Sequence, residues 1–158
     1  MTDSINCKQC DTSMRQESLG FVAGEEGVLK ISVADFPALV CERGHRQFVS
    51  RDFPMQFLEQ VASDNRTGLP KGKKLGLLFK KYQCGKCGEV LAKDSESRPF
   101  GFDVQLADLP KMRVEFTVPV YKCPSCGLEQ LRANDEIVGL VPAALAHAFQ
   151  SAGIKPLA

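Results

Sequence analysis

Apolar and polar positions alternate, give way to helical spacing, and then run through the same sequence again in the second half of the chain. Residues 28–33, Val-Leu-Lys-Ile-Ser-Val, are rich in β-branched side chains and partly alternating, which predicts a strand. Residues 14–23 before it predict irregular and then extended chain. Gly24-Glu25-Glu26-Gly27 predicts a turn. Phe36-Pro37-Ala38-Leu39-Val40 leads straight into Cys41, so the first half should hold a β-hairpin, with Phe48-Val49 a short last strand. Beyond it Phe53, Phe57, Leu58, Val61 and Ala62 recur at helical spacing and give one apolar face. Ser50 or Asp52 is placed to cap that helix, Pro54 suits its first turn, and it should end near Asn65 to Gly68.

The second half repeats this order. Leu75 to Phe79 predicts a strand, and residues 100–106 alternate clearly. Residues 108–111 predict a turn and residues 113–118 a returning strand. Val118-Pro119-Val120-Tyr121-Lys122-Cys123 then matches Phe36-Pro37-Ala38-Leu39-Val40-Cys41, with the proline four residues before the cysteine in both. Asn134 or Asp135 is placed to cap a further helical stretch. Pro142 begins a second helix or kinks the first, Leu145, Ala148, Phe149 and Ala152 mark its buried side, and Gly153 ends it. Pro37 to Pro119 and Cys41 to Cys123 are both offsets of 82, and Asp52 to Asp135 is 83. Cys7 to Cys84 is 77, which puts five extra residues in the second hairpin loop. The expected architecture is α+β, with two tandem hairpin units over residues 1–70 and 71–158, each followed by a helix.

The cysteines give these hairpins their chemistry. Cys7, Cys10, Cys41, Cys84, Cys87, Cys123 and Cys126 are all the cysteines of the chain. With His45 they read C-x2-C, thirty residues, C-x3-H, and then C-x2-C, thirty-five residues, C-x2-C. Two residues between thiolates let one tight turn aim both sulfurs at one point, and a second turn completes a tetrahedron. That spacing predicts two structural zinc ions held in zinc-ribbon (rubredoxin-like) hairpins. His45 has two readings: the fourth ligand of the first site, or a plain turn residue after Gly44. Iron fits an all-thiolate site as well, whereas a mixed sulfur and imidazole set favours zinc. Four protein ligands leave no open position for water, so the expected role is structural rather than catalytic. Redox use of C-x-x-C needs a helix N-terminus in a βαβ setting, which this pattern does not offer.

Composition narrows the class. The chain has 158 residues, is 44% hydrophobic, lacks Trp and carries a formal net charge of +1. Each half alone is of a size at which chains often need a metal or another staple. The absence of a long apolar run and of a leader-like N-terminus predicts a cytoplasmic chain with no membrane partner, a reducing setting that favours metal ligation by the paired cysteines over disulfides. No hydrolase, P-loop or dinucleotide fingerprint is present, and His147 on Ala-Leu-Ala-His-Ala-Phe reads as a helix-surface or packed residue.

CGKCG with PVYKCPSCG, and CKQC with FPALVCERGH, resemble the YgiT-type zinc finger, the zinc-binding half of the MqsA-type antitoxins. The resemblance implies ribbon architecture and zinc. Those antitoxins usually add a helix-turn-helix domain that binds DNA, whereas here each unit is followed by one helical segment or a broken pair.

The remaining signal is electrostatic. Arg66, Lys71, Lys73, Lys74, Lys80, Lys81 and Lys86 occur with no acidic residue among them. The run is a solvated linker, a phosphate-contacting surface for DNA or RNA with Phe79 and Tyr82 beside it, or a dock for an acidic protein. The chain as a whole is expected to be a non-enzymatic zinc-binding protein serving protein interaction or regulation. The alternatives are a nucleic-acid-binding, antitoxin-like regulator and, behind it, a metal- or thiol-dependent enzyme. A homo-oligomer is compatible with all three.

Overall fold

The computed structural model describes residues 5–63, 66–76, 81–132 and 134–156, with the side chains of Asn134 and Asp135 outside the described set. The fold is mixed α+β, mostly sheet with two helices. In the first half lie β1 (Met14–Ser18), β2 (Phe21–Glu26), β3 (Leu29–Ala34) and β4 (Pro37–Cys41). One antiparallel register runs through both of their ladders, from Met14 opposite Cys41 to Glu26 opposite Leu29. The four strands are therefore one hairpin, bent once. The bend falls where Gly20 and Asp35 take φ values of 77° and 59°, a left-handed backbone that breaks the pleat on both strands together. Asp35 N–H donates to Gly20 O across it, and Leu19 N–H donates to Phe36 O.

Two expectations change here. Residues 14–18 are strand rather than irregular chain; their polar run hid it because β1 buries only Met14. The turn is Gly27-Val28 rather than residues 24–27, and Gly27, at φ 55°, supplies the positive φ that a glycine-first two-residue loop requires.

The second half carries β8 (Glu96–Val104) and β9 (Met112–Lys122), an unbent hairpin running from Glu96 opposite Val120 to Val104 opposite Met112. Val33 faces Val22 and Glu115 faces Gly101, so the halves match at an offset of 82 on the returning strand and 79 on the outgoing one. Three of the five extra residues thus lie in the turn and two lie before the strand, where the sequence placed all five in the loop.

The hairpins join through their returning strands. β3 pairs antiparallel with β9 from Lys30 opposite Thr117 to Ala34 opposite Arg113. β10 (Glu129–Gln130) continues on β9 beyond the end of β3. Because the pair is antiparallel, the returning strands carry their following ligand turns in opposite directions.

The helices are α1 (Phe53–Ala62) and α2 (Asn134–Ser151). Phe53, Phe57 and Val61 are buried, as the spacing requires. Asp52 stands at the N-cap position, but its backbone is helical and its side chain makes no capping bond. An N-cap side chain works from extended backbone, and here Pro54 removes one of the unpaired N–H groups instead. Pro142 lies inside one helix and begins no second one. The expected caps Asn134 and Asp135, and Leu77 to Phe79, fall outside the described residues or side chains. The short strand β5 is Arg46–Gln47, two residues earlier than Phe48-Val49, and Phe48 is buried in the core.

One apolar cluster takes residues from both 1–70 and 71–158. Phe36 meets Phe53 and Phe57 edge-on at 5.4 and 5.8 Å, and Phe149 of α2 stands 5.5 Å from it. Gly24 lets α2 lie directly on β2, since a Cβ there would be 2.4 Å from both Ala144 O and Ala148 N. After each helix the chain crosses to the other half. Beyond α1, Leu131 N–H donates to Pro70 O and Gly72 N–H donates to Leu131 O. Beyond α2, β11 (Ile154–Lys155) pairs in parallel with β5. The strands β6 (Lys73–Leu75) and β7 (Lys81–Gln83) form a small separate hairpin. Among the described residues no helix is long and apolar enough to cross a membrane.

Candidate metal centres

Four tight turns aim the sequence-predicted ligands. Cys7 N–H donates to Thr12 O while Asp11 N–H donates back to Cys7 O. Cys84 does the same with Glu89 and Gly88, and Cys123 with Leu128 and Gly127. Each turn needs a left-handed residue straight after its second cysteine, and Asp11, Gly88 and Gly127 hold φ values of 60°, 79° and 77°. The fourth turn is one residue shorter. Cys41 N–H donates to His45 O, and Gly44, at φ 84°, donates to Cys41 O. The left-handed residue now precedes the second ligand, which therefore starts further round the turn and reaches back with the longer imidazole. This one-residue contraction accounts for the shift in offset from 82 to 83.

The turns bring all eight residues into two groups, Cys7, Cys10, Cys41 and His45, and Cys84, Cys87, Cys123 and Cys126, with the ligand atoms of each within 4.8 Å of one another. In the second group Cys84 Sγ lies 3.6 Å from Cys126 Sγ, and Cys87 Sγ lies 3.5 Å from Cys123 Sγ. In the first, Cys10 Sγ is 3.7 Å from Cys41 Sγ, and His45 Nδ1 is 3.4 Å from the sulfurs of both Cys7 and Cys41. A tetrahedral metal with arms of about 2.3 Å to sulfur has edges of about 3.8 Å. Both groups are tetrahedron-like at that scale, and all seven cysteines are free. The donors present therefore fit a metal ion at each place. His45 faces its group through Nδ1, which lies close enough to the sulfurs to share a cation with them.

The thiols are not alike. The Thr12 hydroxyl, 3.0 Å from Cys10 Sγ, lowers the Cys10 thiol to about 6. Gln130 lowers Cys84 to about 6 by donating Nε2–H to its sulfur at 3.2 Å. The backbone at Glu89 lowers Cys87, but the neighbouring thiols, Cys123 foremost, outweigh it and push Cys87 up to about 12. Hydrogen bonding to Cys10 raises His45. Crowded donors thus share protons, and a cation would displace those protons as it binds. Cys84 and Cys123 are buried, whereas Cys87 and Cys126 are exposed, so the second group opens to solvent on one side.

The basic residues differ in their surroundings. Arg66 stacks over Phe102 at 4.7 Å and donates to Gln60 O. Lys71 sits where the chain crosses to Leu131. Lys73, Lys74 and Lys81 are exposed on the β6–β7 hairpin, and Lys80 lies outside the described residues. Tyr82 is buried under Arg132, at 4.9 Å, and its hydroxyl donates to Glu136, so it is not presented for base stacking; Phe79 is outside the described residues. A cleft of about 530 Å³ lies along β2, β3 and β9 and includes Lys30, Glu115 and His147. His147 is half-exposed and hydrogen-bonds Glu25 O through Nδ1 at 2.7 Å, as a helix-surface residue.

Sequence reasoning missed Gln47, Gln130 and Arg132. The two glutamines stand 83 apart, as Asp52 and Asp135 do, which was the available signal. No family model matches the chain, and no curated protein or solved structure matches it either.

Proposed function

We propose that the chain is a non-enzymatic module built on two structural zinc ions, each in a zinc-ribbon unit, and that it serves protein interaction or regulation in a reducing, cytoplasmic setting. The observation that carries this reading is the pair of complete four-donor sets, each at the foot of a hairpin. Four protein donors complete a tetrahedron and leave no place for a reacting water. The imidazole in the first set favours zinc over iron, and the second is then read by analogy. The matching registers, the paired prolines and the crossed segments support the halves as two copies of one unit, in keeping with the resemblance to the YgiT-type zinc finger.

Native mass spectrometry with elemental analysis of the full chain tests the proposal. Two zinc ions per chain are expected, falling to one in His45→Ala. A folded chain that takes up no metal under reducing conditions overturns it.

A second reading has its own observation: the β6–β7 hairpin exposes Lys73, Lys74 and Lys81 beside a chain segment free of carboxylates. On this reading the module binds DNA or RNA through phosphates, without stacking by Tyr82. Salt-dependent binding to mixed nucleic acid, lost in the Lys73→Glu/Lys74→Glu/Lys81→Glu variant, would favour it; absence of binding at low salt would remove it.

A further inference from the structure

Apart from cysteine and tyrosine, the buried polar side chains among the described residues are Gln47 and Gln130, exposed by 2% and 0%. They hold the same place in their units. Gln47 faces Leu39 and Gln130 faces Tyr121, each two residues before the third ligand of its group. A buried amide is costly unless bonded.

Gln130 is bonded at both ends. Gly85 N–H donates to Oε1 at 2.9 Å, and Nε2 donates to Cys84 Sγ at 3.2 Å and to Leu128 O at 3.3 Å. The orientation of the amide is not arbitrary: a backbone N–H can only donate, so the oxygen must face Gly85 and the nitrogen must face the sulfur. The site is shaped to admit it. A Cβ at Gly85 would lie 2.5 Å from Lys71 O, so glycine is what lets the crossing segment close against this turn. Lys86 N–H also points at Cys84 Sγ, at 3.4 Å, which gives that sulfur two donors. Cys7 has the matching backbone donor, Gln9 N–H at 3.4 Å. The oxygen of Gln47, by contrast, is buried without a partner.

We propose that Gln130 is a positioning residue of the four-cysteine centre, fixing Cys84 Sγ toward the metal by donating to it while bracing the turn through Gly85. The inference rests on the reading of that group as a metal centre. Hydrogen bonds to a ligating atom orient it and tune its donor strength, and their loss typically costs tenfold or more in metal affinity. Donation to a thiolate withdraws charge from the metal–sulfur bond, which a structural prop alone would not do.

The test uses the full chain loaded with cadmium-113, whose magnetic resonance separates a four-sulfur site from a three-sulfur, one-nitrogen site. In Gln130→Leu the four-sulfur signal should move, and on addition of excess chelator it should decay about tenfold faster than in the parent. The three-sulfur signal should keep its position and its rate. Gln130→Glu keeps an acceptor for Gly85 N–H and loses the donor to sulfur, so its four-sulfur signal should move too; it also decides the matter should Gln130→Leu not fold. A four-sulfur signal that keeps its position and decay rate in Gln130→Glu overturns the proposal. Equal acceleration at both sites also overturns it, since that marks a general loss of stability. A parent chain that binds no cadmium overturns the metal reading itself, and this inference with it.

Discussion

The first ligand group stands at the foot of a bent hairpin and the second at the foot of a straight one. The first half spends a left-handed pair, Gly20 and Asp35, on turning β1 and β4 out of the sheet that β2 and β3 share with β9. The second keeps β9 unbroken, so a single strand carries both the pairing to β3 and the approach to Cys123. Each group nevertheless ends up in a small apolar cluster of its own, Met14 and Leu39 around Cys7 and Cys41, and Tyr82, Leu91 and Tyr121 around Cys84 and Cys123. Neither cluster belongs to the main core. The difference in strand path is thus absorbed within the sheet, while both ligand ends depend on something other than apolar burial. Four or five side chains cannot offset the cost of ordering such a segment.

The largest expected effect follows from that dependence. Structural zinc contributes about 10 kcal/mol or more to small sites at neutral pH. Chelation should therefore unfold both ligand ends while β3 and the middle of β9 stay folded. Hydrogen exchange should show lost protection over residues 5–18, 37–47, 81–91 and 121–130, with protection kept over residues 29–34 and 112–118. Cooperative loss everywhere at once would show that the ends and the core are one unit.

The cores of the two halves differ in kind, which sets the next effect. Phe36 is fully buried between Phe53, Phe57 and Phe149, while Val118 holds its place at the offset of 82. Phe36→Ala should cost about 3–5 kcal/mol, seen in denaturant melts of the metal-loaded protein. Val118→Ala removes two methyl groups and should cost clearly less, at about 0.8 kcal/mol for each plus a cavity term. Equal losses would mean that the aromatic cluster is no more central than its aliphatic counterpart.

The outgoing strands of the two hairpins differ as well. Gly24 lies under α2, while Asp103, its match at the offset of 79, is half-exposed and pairs with Arg113 at 3.2 Å. Gly24→Ala drives a Cβ into the backbone of α2 and should cost about 1–3 kcal/mol. Asp103→Ala should stay within about 0.5 kcal/mol, as an exposed ion pair does. A neutral Gly24→Ala would show that α2 can lift from β2 at no cost.

These contrasts also explain what could be read from the sequence. The eight ligands were legible because a ligand turn is local: two or three residues and one left-handed position decide it. Phe53, Phe57 and Val61 were legible because one helix face repeats every three to four residues. The bend was not, since it needs two left-handed residues to lie opposite each other, and nothing in Gly20 or Asp35 alone announces a partner. Nor was the union of β3 with β9, because alternation makes a strand sticky on both edges without naming its neighbour. The crossing segments at Gly72 and Ile154 are one to two paired residues long, below any periodic signal. Gln130 was hard to read for a related reason: only its spacing from Gln47 marked it, while its importance comes from burial and from Gly85, 45 residues away.

The smallest expected effect concerns the residue just before each glutamine. In the second half it is Glu129, which pairs with Arg98; in the first it is Arg46, which donates to Ala152 O at 2.9 Å. The Arg98 guanidinium holds the Glu129 carboxyl below its usual range. A carboxylate with a depressed folded pKa contributes stability that is fully present above its unfolded value of about 4.3 and is lost as the pH falls through the folded value. Glu129→Gln should therefore lower the melting temperature slightly at pH 7, and the gap from the parent should close as the pH falls below about 4. Arg46→Gln loses a bond from a group that stays protonated throughout, so its gap should stay open over the same range. Melting curves of the three proteins between pH 7 and pH 3 decide it. Because any metal held by thiolates would leave them in acid, the comparison is between variants at each pH. A Glu129→Gln gap that persists unchanged at the lowest pH would show that shape rather than charge ties β8 to β10.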